Sequence, residues 1–185
     1  MNMNTDRIAE MKARLHAAWN AATDDQIARG RAWYPVAHDL AEMIGNGNVR
    51  IGAGIIAALS PRMQWDRNVK LAVDAGNGNV HGAMGASLVK VQRILDGSDP
   101  ADVLPNGAKT WHFFHNIVDP SDSAYVTIDA WAYRAATGDW SAVGPKSTRD
   151  YAEVAAAYIG FAGDIGELAN VGQAGVWNWA RETKH

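Results

Sequence analysis

Apolar residues recur along this chain every three or four positions and nowhere alternate over the length of a strand, and this periodicity constrains the fold more than any other feature. Ile8, Met11, Leu15 and Trp19 mark a helix over 5–22, with Thr5 or Asp6 placed to cap it. A second pattern runs over 24–44, kinked or broken at Pro35 and closed by Gly45-Asn46-Gly47-Asn48. Residues 49–59 are apolar nearly all round, the pattern of a buried helix, and Ser60-Pro61 stops it. Further helices are expected over 63–75, 87–95, 101–104, 108–118, 130–137, 146–161 and 172–181, with a short extended run at 125–128. The glycine-rich stretch 76–85 lacks the strand that precedes a phosphate-binding nucleotide loop and reads as a connector. The fold class is therefore all-α, in a single domain over 1–185.

The chain has no cysteine, which removes disulfides, thiolate nucleophiles and Cys-ligated metals from consideration. No apolar run approaches the roughly 18 residues of a membrane span, and the charged, periodic start is unlike a signal peptide. These features predict a soluble cytoplasmic protein. A net charge of −3 argues against coating nucleic acid by bulk electrostatics. Residues 62–93 nevertheless carry Arg62, Arg67, Lys70, Lys90 and Arg93 against only Asp66 and Asp74, a local surface suited to phosphate. His112 and His115 stand three residues apart, but no third metal ligand follows at a recognisable spacing, so they read as structural.

Two further segments carry chemistry. Leu104-Pro105-Asn106-Gly107-Ala108-Lys109-Thr110 is followed about twenty residues later by Val126-Thr127-Ile128-Asp129-Ala130-Trp131-Ala132-Tyr133-Arg134. In order, spacing and residue type this resembles the signature of the helix-hairpin-helix DNA glycosylases. The resemblance implies Asp129 as the catalytic aspartate with Arg134 as its partner. Lys109 takes the place of the lysine that attacks the sugar in bifunctional members, and the backbone of Asn106 and Gly107 takes that of the hairpin facing a DNA phosphate. The hairpin here is one residue shorter than the superfamily's L-P-G-x-G and lacks its first glycine.

A wider set resembles small phage-type relatives, among them the α-glutamyl/putrescinyl-thymine pyrophosphorylases. Its carriers are Ala58-Leu59-Ser60-Pro61 with Trp65 and Asn68, then Lys109 to Ile117, then Thr127 to Arg134, and Gln173-Ala174 with Trp177 and Arg181. This implies a base pocket drawn from Arg62, Gln64, Trp65, Asn68, Trp131, Arg134 and Gln173, no metal or other cofactor, and DNA or a modified nucleotide as partner. If phage-encoded, the protein would act in the infected host cell.

The chemistry suits these residue types. Breaking an N-glycosidic bond develops positive charge on the sugar, which a fixed carboxylate such as Asp129 stabilises. For Lys109 to attack C1′ it must lose its proton, which desolvation or the nearby cations Arg62 and Arg134 would promote. Tryptophans such as Trp65, Trp111 and Trp131 offer faces for a flipped base. The leading expectation is thus a DNA-base-processing enzyme that cleaves the glycosidic bond of a modified base. An alternative is a transferase of thymine hypermodification, with Asp129 as base for an incoming amine and Lys109 or Arg62 holding a pyrophosphate leaving group. A third is a catalytically silent module that binds DNA or protein, in which Asp129 is only a helix cap.

Overall fold

The computed structural model describes residues 3–105 and 109–184, and all regular structure among them is helical. Asn106, Gly107 and Ala108 of the hairpin lie outside the described residues, as does the beginning of the helix expected from 108. Two compact units emerge, one comprising the chain up to Tyr34 together with the chain from Ser121 onward, the other Pro35–Pro120.

The first unit holds α1 (Thr5–Ala21), the first part of α2 (Asp24–Ile44), α8 (Ala130–Thr137), α9 (Thr148–Ile165) and α10 (Ala169–Thr183). Helix α1 is capped by Asn4, not by Thr5 or Asp6, because the Asn4 side chain accepts from the Arg7 backbone N–H at 3.1 Å. The Asn4 backbone in turn donates to Glu153 on α9 at 3.1 Å, so one residue both caps α1 and fixes it to its neighbour. Helices α1, α8, α9 and α10 all pack on one another around Met11, Leu15, Ile128, Val154, Tyr158, Phe161 and Val176, each almost wholly buried. Helix α10 begins three residues earlier than its amphipathic pattern suggests, since Ala169, Asn170 and Val171 are themselves buried. Gly30 of α2 lies against Gly175 of α10 so closely that a Cβ on Gly30 would sit 2.5 Å from the Gly175 nitrogen.

The second unit is organised around α3 (Val49–Leu59), which packs on α4 (Trp65–Gly76), α5 (Gly85–Leu95), α6 (Pro100–Val103) and α7 (Lys109–Val118). Its apolar residues on every side are explained by this central position, with Gly52 to Leu59 all buried. Pro35 does not break α2, which is continuous through it to Ile44. Asn48 caps α3 by accepting from the backbone of Arg50 at 3.1 Å and of Ile51 at 3.3 Å. Asp99 caps α6 and holds Arg50 in a two-pronged ion pair at 2.7 and 3.1 Å. No helix among the described residues is long and apolar enough to cross a membrane.

Candidate functional site

Asp129 stands between two stretches of backbone that two tyrosines fasten. The Tyr151 hydroxyl donates to the Val126 carbonyl at 2.8 Å and accepts from the Ile128 N–H at 3.0 Å. One turn after Asp129, the Tyr158 hydroxyl donates to the Ala132 carbonyl at 3.0 Å. Both phenols lie in the core of the first unit, and burial drives both well above their usual range, so they remain protonated donors at neutral pH. The negative charge of Asp129 adds to the effect on Tyr158.

Asp129 itself adopts an extended backbone and caps α8. Its Oδ1 accepts from the Ala132 N–H at 2.8 Å, and its Oδ2 accepts from the Trp177 indole N–H, also at 2.8 Å. Each oxygen therefore has one fixed donor and a remaining lone pair. The residue is half-buried.

Arg134 does not partner this carboxylate. Its Nε donates to the Ala142 carbonyl at 2.7 Å, and its guanidinium lies over the Trp131 ring at 4.9 Å. The half-buried Trp131 packs against the core of the first unit and offers Arg134 one of its faces. Gln173 is buried on α10, where its Oε1 accepts from the Tyr34 hydroxyl at 3.2 Å. Trp177 follows Gln173 by one turn on the same helix and Arg181 by two, with the Arg181 guanidinium 4.5 Å from the Trp177 ring centre. The structure thus couples Asp129 to Trp177 and, beyond it, to Arg181, two carriers of the wider resemblance that the sequence does not connect to Asp129. Their spacing of four on an amphipathic helix was the available signal.

The second unit carries the other expected residues. Arg62 is exposed and held at φ +57°, in the left-handed region that side-chain-bearing residues seldom adopt. Gln64 precedes α4 without using its side chain as a cap, and its amide is exposed. Trp65 meets Phe113 edge-on at 6.4 Å. Asn68 is buried and ties α4 to α3, its Nδ2 donating to the Ile56 carbonyl at 3.1 Å, while its buried Oδ1 has no partner among the described residues. Lys109 is the half-buried first residue of α7. Arg62, Arg67, Lys70, Lys90 and Arg93 form no ion pair among the described residues, although Arg67 donates to the Gly82 carbonyl at 3.0 Å.

His112 and His115 lie on α7, and no three His, Cys, Asp or Glu side chains among the described residues converge as a metal site. Burial, aided by the neighbouring His115, pushes the His112 imidazole down to about 4. A depressed histidine favours the fold while neutral. Its contribution is complete above the unfolded value of about 6.5 and is lost as pH falls through the folded value. Urea midpoints of the wild-type protein are therefore expected to fall as pH drops from about 6.5 toward 4.5, a decline that begins above the range in which carboxylates protonate. His112→Phe should flatten that slope, and an unchanged slope would place the sensitivity elsewhere.

No curated protein matches the chain, and no solved structure does. A family model described as a family of unknown function, DUF7178, matches residues 1–184. With the match running from the first residue nearly to the last, the chain belongs to DUF7178.

Proposed function

We propose that this protein is a DNA-base-processing enzyme with a helix-hairpin-helix glycosylase-like fold, and that it cleaves the N-glycosidic bond of a flipped, modified base at Asp129. The observation that carries this reading is the immobilised carboxylate of the half-buried Asp129, with one donor on each oxygen and its backbone fastened by Tyr151 and Tyr158. As the bond from C1′ to the base nitrogen breaks, its electrons leave with the base and positive charge appears on the sugar. A carboxylate that need not reorganise stabilises that charge, and its free lone pairs can take the proton of the attacking water.

The five cations of residues 62–93, without ion pairs among the described residues, support DNA as the partner, because unpaired Lys and Arg release counterions when they meet phosphate. Replacing the exposed Lys70 and Arg93 together by glutamine is expected to reduce the salt dependence of DNA affinity. The slope of log K against log salt should fall by about 0.9 for each phosphate that is no longer neutralised. A slope that stays the same in the double variant would remove these residues from the interface.

The activity is tested by incubating the protein with DNA carrying unmodified, 5-hydroxymethyl and other modified pyrimidines and weighing the released products. Free base that depends on Asp129 supports cleavage, and an adduct trapped by borohydride that is absent in Lys109→Gln adds the lyase step. A mass gain on the base, seen only when an amine and a pyrophosphorylated substrate are supplied, would replace cleavage by group transfer. No base release and no mass gain would leave binding alone.

A further inference from the structure

Beside Trp177 the first unit has an open depression of about 380 Å³, lined by Arg29, Trp177, Asn178, Arg181 and Glu182. Its charges are mostly committed. Arg29 donates to Glu182 at 2.7 and 3.1 Å and to Asp25 at 2.9 Å, and Glu182 also accepts from Gln26 at 2.8 Å. Asn178 donates to the Gln26 carbonyl at 2.9 Å. Arg181 is the exception. It is exposed, has no carboxylate within ion-pair distance among the described residues, and carries its guanidinium carbon over the Trp177 ring, 4.5 Å from the ring centre.

Helical side chains lean toward the N-terminus, which is why the guanidinium of Arg181 covers the residue four positions before it. Stacking on an indole restrains a guanidinium while leaving its N–H edge free, and that edge matches the oxygens of a phosphate. The same indole donates to Asp129 Oδ2 at 2.8 Å. One ring thus carries a cation on its face and the carboxylate at its N–H edge.

We propose that Arg181, preoriented by Trp177, is the binding site for a phosphate group of the nucleotide ligand, set beside Asp129 so that an anchored phosphate brings its own sugar to the carboxylate. The placement of the sugar rests on the role given to Asp129 above; the phosphate contact does not.

The test follows the Trp177 indole N–H by NMR in the full chain, assigned with Trp177→Phe, during titration with dTMP, the dinucleotide TpT and thymidine. The first two supply a phosphate monoester and a phosphodiester, and the third supplies neither. At least one phosphate ligand is expected to bind tenfold or more tighter than thymidine, with the advantage gone in Arg181→Gln and partly kept in Arg181→Lys. Preference for dTMP alone would point to a free nucleotide or strand end, and preference for both to the DNA backbone. Equal binding of thymidine, no binding of any of the three, or a preference that survives Arg181→Gln would overturn the proposal. Base release is scored separately with Asp129→Asn. A chain that prefers phosphate through Arg181 yet releases no base keeps this site and loses the glycosidic reading, and the opposite pair of results does the reverse.

Discussion

Gly52→Ala is expected to destabilise the protein by about 3 kcal/mol, at the upper end of what overpacking a close-packed interior costs. A Cβ at position 52 would lie 1.9 Å from the Ala41 carbonyl oxygen and 2.7 Å from its carbon, so the obstacle is backbone and no side-chain rotation relieves it. Relief would require moving α3, and α3 packs on four other helices. Alanine's better helix propensity returns only about 1 kcal/mol of this. Gly163→Ala is the control, because nothing lies within 4 Å of its added Cβ and it sits exposed in α9. There the propensity gain of about 0.5–1 kcal/mol should appear alone, as a higher urea midpoint. Equal stability of Gly52→Ala and wild type would show that α2 and α3 do not approach as closely as described.

The second large effect is on turnover. Asp129→Asn should lower base release by about 10²–10³-fold, the loss typical when a preorganised electrostatic contact to the transition state is removed. It should keep the helix cap, since asparagine caps as well as aspartate and its oxygen can still accept from the Ala132 N–H, but its amide nitrogen cannot accept from the Trp177 indole N–H, so the variant loses that one hydrogen bond, about 1 kcal/mol. Asp129→Ala should lose comparable activity and about 1 kcal/mol more stability than the asparagine variant, because the cap to the Ala132 N–H is gone as well. If the two variants differ from wild type in stability alone, Asp129 is a cap and nothing more.

Much of the fold can be read from local pattern. Helix α3, apolar on all sides, and α8, with its capping aspartate and its glycine at φ +75° after the last turn, begin and end where periodicity and caps place them. Boundaries shift where tertiary contacts take over from local signals. Helix α10 starts after Leu168, which gives no side-chain cap, because burial of Ala169 to Val171 makes the extra turn worthwhile. Helix α9 runs past Phe161 to Ile165, where Gly166 at φ +72° ends it, and starts at Thr148 because Ser147, not Lys146, supplies the cap.

The candidate site divides in the same way. Asp129 is legible because its capping position and its neighbours are local in sequence. Its actual partner is 48 residues away, and no local rule connects an aspartate at a helix start to an indole on the last helix. Arg134, five residues from Asp129, has the spacing of a natural partner, yet on α8 it is drawn to Ala142 and to the face of Trp131. Trp177 and Arg181 are visible as a spacing of four, but only the fold shows that one holds the carboxylate and the other lies open to a ligand. The tyrosines that fasten the backbone on either side of Asp129 come from α9, more than twenty residues along the chain, and no local pattern marks them for this role.

The most direct test of the central claim is single-turnover release of free base from DNA containing 5-hydroxymethyluracil or the best substrate of the modified-pyrimidine series, comparing wild type with Asp129→Asn under identical folding controls. Free base of the correct mass is expected from the wild-type protein, with release at least roughly 10²-fold slower from the variant. Equal rates from the two proteins, or a wild-type protein that binds the DNA and releases nothing, would contradict it.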